Sequence, residues 1–229
     1  MTIRKGDVIE RLRSLMPIAT LLRLSRTLTR SEARVIAERQ ANMLLRLLHI
    51  RKPGVEVELV AELPQVKVEF LPNLCFSGSS VWKDGYWHIH INADDSLWRC
   101  RATLAHELKH ILDDPYAEVL YPECGVDPKH TQNAEAICDY FAGCVLVPRR
   151  WLKSAWQRGI CDTTTLASIF NVSDALIKTR IKQVGLTARD KKSDWANGSR
   201  HRDNGLIHKA SEKILPRTDY QTFPEIKPC

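Results

Sequence analysis

No apolar run in the 229-residue sequence is long enough to cross a bilayer; the longest, 142–148 and 44–50, fall far short of the roughly 20 residues a membrane helix needs. A clean hydrophobic leader is also missing. Arg4 and Lys5 are followed by Asp7, Glu10, Arg11 and Arg13, with no small-residue cleavage site after them, so no secretory signal is expected. The seven cysteines form no CxxC pair. In a chain without an export signal they read as reduced thiols, several of them core filler. Internal repeats are absent. A cytoplasmic, non-membrane protein is expected.

With 44% hydrophobic residues the chain can bury a core, as one domain of average size or one plus a small appendage. Its net charge of +7 is unevenly spread. Residues 1–50 carry ten Lys/Arg against four Asp/Glu, and residues 51–147 eight against fifteen. Residues 148–186 carry seven against two, and 187–229 nine against six. An acidic centre between basic flanks suits nucleic acid or an acidic partner, or equally a set of solvated basic helix faces.

Helical periodicity runs from Asp7 to about Leu48, interrupted at Pro17, with Ser31 and Glu32 marking the start of a long helix. A short helical piece at 57–63 stops at Pro64, and Val66–Leu71 alternates as a strand. Strands at 75–82 and 86–92 flank Lys83-Asp84-Gly85, a hairpin signal. His88 and His90 alternate onto one face of that hairpin, as metal ligands or as polar residues on its wet side. Asp94, Asp95 and Ser96 cap the next helix. Residues 114–130 read as a loop, Thr131–Val147 as a helix stopped by Pro148, and Trp151–Gln157 as a short helix. Apolar residues thin out beyond Leu186, so 187–229 is expected to be a polar tail.

The stretch TLAHELKHILDD, residues 103–114, carries the chemistry. In a helix His106 and His110 lie on one face and can point ring nitrogens at a single ion, while Glu107 sits beside the open position and can hold a water and take its proton. Composition alone gives such a pentapeptide odds of roughly one in a hundred, so more is needed. A catalytic zinc requires a third protein ligand and an open fourth place. The chain lacks the glycine and third histidine that metzincins place soon after, reading ILDDPY instead. Another common solution is a glutamate from the next helix. NAEAICDYFAGCVLVP, residues 133–148, offers Glu135, with Asp139 one turn on to orient a ligating histidine. In so apolar a helix that carboxylate needs a partner. Asp113, Asp114, Glu118, Glu123 and His130 are competing third ligands, and His130, Tyr116, Tyr121 or Tyr140 could serve the oxyanion.

The run SGSSVWKDGYWHIHINADDSLWRCRATLAHELKHILDD resembles the core of the ImmA/IrrE family of metallopeptidases, as does the later E-x-x-C-D-x-F-A-x-x-x-L-x-P run ending at Pro148. The resemblance covers about residues 30–186 and rests on four separated elements in order. It implies a gluzincin-like Zn²⁺ site of His106, His110 and Glu135 with Glu107 as the base, and limited cleavage of a helix–turn–helix repressor. Two positions depart from the family pattern: Lys109 replaces a usual Gly, and Cys138 a usual Ala. Lys109 is expected to point away from the histidine face and be tolerated, altering charge near the cleft.

Residues 164–181 fit a helix–turn–helix, with Asn171 at the positive-φ turn and Ser173 capping the second helix. With Lys178, Arg180 and Lys182 expected to be exposed, that helix would contact DNA or a partner, or else serve as a packing module without DNA.

The expected architecture is α+β: a basic helical segment (1–29), a zinc-peptidase domain with a small hairpin sheet and an HExxH helix (30–150), a helix–turn–helix-like module (151–186) and the tail (187–229). The expected function is a zinc endopeptidase making a limited cut in a regulatory protein. The alternative is a non-proteolytic DNA- or protein-binding regulator with a structural zinc, against which stands the lack of an obvious fourth His or Cys ligand.

Overall fold

The computed structural model describes residues 8–122 and 131–186. The chain divides into two units, 1–191 and 192–229, and every described residue belongs to the first. The tail, Glu123, Cys124, His130 and Cys229 lie outside the described residues.

The described elements are helices α1 (Val8–Arg13), α2 (Ile18–Leu24) and α3 (Arg30–Leu47), then a 3₁₀ turn at Val57–Glu62. Strands β1 (Val66–Leu71), β2 (Gly78–Lys83) and β3 (Tyr86–Asn92) follow. After them come α4 (Leu97–Asp113), a 3₁₀ turn at Asp114–Tyr116, α5 (Ala117–Leu120), α6 (Gln132–Leu146), α7 (Arg149–Gln157), α8 (Thr163–Phe170) and α9 (Asp174–Val184). The architecture is α+β. No described helix is long and apolar enough to cross a membrane.

Strand order is β1-β3-β2, with β1 parallel and β2 antiparallel to the central β3. The hairpin loop is two residues, Asp84 (φ 51°) and Gly85 (φ 80°), because Lys83 already pairs with Tyr86. Two consecutive positive φ angles give the turn whose twist matches the strands. Trp87, Ile89 and Ile91 point into the core; His88 and His90 point away from it. β2 begins three residues later than its sequence suggests. Residues before it are drawn off the ladder, where Asn92 Nδ2 donates to the Leu74 carbonyl (3.0 Å) and Arg99 Nε to Ser77 Oγ (2.9 Å).

α3 is capped two residues earlier than Ser31 and Glu32 alone imply, at Thr29. Its Oγ1 accepts from the Glu32 N–H (3.3 Å) and the Glu32 carboxylate accepts from the Thr29 N–H (2.9 Å). The 114–130 stretch is not all loop, for Asp114–Leu120 turns helically.

α4 is the central helix. It packs against β2 and β3 on one side and α6 on another, and Arg13 of α1 donates to the Ile111 carbonyl (2.8 Å) near its C-terminal end. Burial on so many sides corrects the expectation for Lys109. Its ammonium is buried, not displayed beside the cleft, and pairs with the Asp113 carboxylate one turn on. Asp113 also accepts from the Tyr121 hydroxyl (2.6 Å), and burial beside that carboxylate raises the Tyr121 pKa. A lysine turned away from the histidines in a helix packed on several faces meets protein, not water.

One hydrophobic cluster runs from Val8 to Val184, taking in α1, the sheet and the α8–α9 pair. Asn171 adopts the left-handed conformation (φ 52°) between α8 and α9, and Ser173 accepts from the Leu176 N–H (3.2 Å) to start α9. Arg180 is not exposed as its sequence context suggests: it is fully buried. Its Nε donates to the Val147 carbonyl (3.2 Å), one Nη to Gln183 (2.7 Å), and the guanidinium lies 5.4 Å from the centre of the Tyr140 ring. Gly143 makes room for it, because a Cβ there would lie 2.9 Å from Arg180 Cδ. Lys178 and Lys182 remain exposed, Lys178 paired with Asp174 one turn before it (2.5 Å).

Candidate functional site

α4 and α6 lie against each other and turn their polar residues to a common point. His106 Nε2 and His110 Nε2 stand 3.0 Å apart, as the i, i+4 spacing requires. Glu135, in the first turn of α6, places one carboxylate oxygen 3.2 Å from His106 Nε2 and the other 3.4 Å from His110 Nε2. One turn further, Asp139 Oδ1 lies 2.9 Å from His106 Nδ1. A carboxylate only accepts here, so Nδ1 carries the hydrogen and Nε2 is the atom left to face Glu135 and His110. Asp139 is 79% exposed, so its partner orients the ring; burial of the carboxylate is not what demands it.

Burial works against a charged His106, yet the hydrogen bonds to Asp139 and Glu135, with Glu107 nearby, raise its pKa to about 9. Hydrogen bonds from the two histidines hold the Glu135 carboxyl far below the usual range. At neutral pH the pocket thus carries a proton on His106 and an ionised Glu135. A divalent cation fits this set: replacing the Nε2 proton exposes one imidazole lone pair, next to a second imidazole and a carboxylate.

The Cys138 thiol is a further donor, since its sulfur and one nitrogen of each histidine all lie within 4.8 Å of one another. Spacing had marked Cys138 only as small packing. It is buried, its pKa raised by desolvation, and it does not line the cleft that Glu135 lines. Among the competing ligands, Asp113 is spent on Lys109 and Tyr121. Asp114 lines the cleft, whereas Glu118 does not.

The cleft has a volume of about 830 Å³. Glu107, 6% exposed, lies in its wall with His106 and His110. β2 forms a second wall. Gly78 lies so close to α4 that a Cβ would clash with the Thr103 side chain, and it would also sit 2.9 Å from the His90 carbonyl of β3. A glycine inside a strand signals such an approach, and the SGSS run held that signal unread. The third wall is α9, through Ala175, Leu176, Thr179 and Gln183, with its cap Ser173. Phe76 and Trp98, each about half exposed, stand at the margin. Of the tyrosines considered for an oxyanion, none lines the cleft: Tyr121 is bonded to Asp113, Tyr140 reaches Glu38 (3.4 Å), and Tyr116 lies elsewhere.

A family model described as the Peptidase M78, IrrE N-terminal-like domain matches residues 62–182, more than half of the chain. The chain belongs to the IrrE N-terminal-like family. Its matched span contains the sheet, both ligand-bearing helices and nearly all of α9. Among solved structures, a Mycobacterium tuberculosis transcriptional regulator aligns at 17% identity and a TM-score of 0.47, over 76% of this chain and 51% of that one. The chain therefore spans about half the length of that regulator. No curated protein matches. Membership in the IrrE N-terminal-like family agrees with a metal-dependent peptidase.

Proposed function

We propose that the chain is a zinc-dependent endopeptidase that makes a limited cut in a regulatory protein, a helix–turn–helix repressor, in the cytoplasm. The observation carrying the proposal is the convergence of His106, His110 and Glu135 on one point, with Glu107 beside it in an open cleft. Zinc held by those three side chains would supply a Lewis acid that acidifies water and polarises a peptide carbonyl. Asp139 keeps the His106 ring oriented. Glu107 accepts the proton of the attacking water and hands it to the departing amine. β2 is an edge strand, so its free backbone groups can pair with an extended substrate segment while Phe76 and Trp98 receive apolar side chains. α9 is given to substrate in preference to DNA: four of its residues face the cleft, and Arg180 is buried, leaving only Lys178 and Lys182 of the three cations for phosphate.

Co-expression with the helix–turn–helix repressor encoded nearest the gene should give one new pair of fragments by intact mass. A repressor that stays whole, yet is bound or inactivated, would replace the peptidase with an antagonist.

One observation favours that second reading. If Cys138 were a ligand beside His106, His110 and Glu135, all four positions would be closed and the zinc structural. The cobalt-substituted protein distinguishes the two. An open site gives weak visible bands without a thiolate charge-transfer band in the near ultraviolet, which is the expected spectrum; a strong thiolate band means a closed site.

Proton release offers a further check. With the His106 pKa at about 9 in the metal-free chain, zinc binding at pH 7 should release about one proton, and the release should fade above pH 9. Below that pH, apparent affinity should fall about tenfold per unit, measured by calorimetry in buffers of different ionisation enthalpy. The same raised pKa stabilises the metal-free fold fully below about pH 6.5, and that contribution is lost as pH rises through 9.

A further inference from the structure

The outer face of the sheet carries a second group of ligating side chains, separate from α4 and α6. His88 and His90 are two residues apart on β3, so both rings leave the same face. The parallel register sets Glu69 of β1 directly beside His90. Glu69 Oε1 lies 3.5 Å from His88 Nδ1, and Oε2 lies 3.8 Å from His90 Nε2. One ligand atom from each of the three side chains falls within 4.8 Å of the others.

We propose that Glu69, His88 and His90 form a second divalent transition-metal site. Two imidazoles and a carboxylate are the donor set of a borderline ion such as Zn²⁺, not of Ca²⁺ or Mg²⁺, which take oxygen ligands. A tetrahedral zinc at about 2.0–2.2 Å from each donor needs those donors about 3.3 Å apart. The separations of Glu69 from His88 and His90 exceed that by a few tenths of an ångström, and Glu69, 48% exposed, has the freedom to close them.

The donors are also available. Among the described residues the Glu69 carboxylate is the one polar partner either imidazole has. Lys67, the nearest cation on this face, has its ammonium 3.9 Å from the centre of the Tyr86 ring. The side chains are partly exposed, at 17% for His88 and 28% for His90, so an ion can reach them and water can complete its shell.

Such a site would join β1 to β3. Because His90 pairs with Ser79 and His88 with Val81, its two histidines lie on the strand next to β2, which walls the catalytic cleft. The two metal positions are chemically alike but borne by different elements, so either can fail without the other.

The test is a zinc titration of the full-length protein against a chromophoric chelator. Wild type is expected to take two equivalents. A His88→Asn/His90→Asn protein should take one, and that one should disappear on adding Glu135→Ala or His106→Asn. Glu69→Gln, a near-isosteric change on an exposed side chain that spares folding, should weaken the second equivalent at least tenfold. A wild-type stoichiometry that the His88/His90 double substitution leaves unchanged overturns the proposal, whether it is one equivalent or two, since other side chains would then hold the metal.

Discussion

Glu107→Gln is expected to cut turnover by about 10³-fold while leaving metal content and thermal midpoint unchanged. The substituted side chain keeps its volume in a tight place, where Glu107 is 6% exposed and Gly78 passes close over its Cγ. It keeps a hydrogen-bond acceptor, so a water can still be oriented. It loses the only function glutamine cannot supply, which is to take a proton and give it back. The metal-facing atoms of His106, His110 and Glu135 are untouched. The measurement is repressor cleavage with time by intact mass, with zinc content and unfolding followed on the same samples. Cleavage at the wild-type rate would remove Glu107 from the chemistry and with it the proposed mechanism.

Asp113→Ala should destabilise the fold by about 3–5 kcal/mol, because it strands the Lys109 ammonium inside the protein and takes away the acceptor of the Tyr121 hydroxyl. In a chain of this size that is a fall of about 10 °C in the unfolding midpoint. The pair itself need not be stabilising, since taking both charges out of water costs about as much as their attraction returns. Lys109→Met combined with Asp113→Leu should therefore recover most of the loss. Calorimetry on wild type, Asp113→Ala and the Lys109→Met/Asp113→Leu protein decides the matter. An Asp113→Ala protein as stable as wild type would mean that Lys109 finds water or another partner, contrary to its burial.

The elements near the site were legible because each rests on short-range chemistry. HExxH declares its own helix face, Asp84-Gly85 its turn, Pro148 a helix end, and Asn171 with Ser173 the joint between α8 and α9. Glu135 and Asp139 followed from one more helical period. What was not legible depends on neighbours distant in sequence. Lys109 and Arg180 look like surface cations on any helical projection. Each is buried because a second element covers the supposedly free face: α4 is enclosed on several sides, and α9 is drawn onto the end of α6. The proximity of Cys138 to the histidines and the cleft-facing side of α9 also come from packing between helices, which no local pattern encodes.

The ligand-bearing residues all belong to α4 and α6, whereas the two walls of the cleft come from β2 and α9. On the proposed function, the parts that react and the parts that choose are thus separate stretches of chain. Contacts that join them include Gly78 against Thr103, Arg99 bonded to Ser77, and Arg180 seated over Gly143. A lineage that keeps those contacts, the Gln183 acceptor of Arg180 among them, could rewrite Ser80 or Thr179 and meet a new target without disturbing the centre. On the same reading, the cleft-facing residues of α9 are the part to exchange between relatives to redirect where the cut falls, because Ile177, Arg180 and Val184 are built into the core.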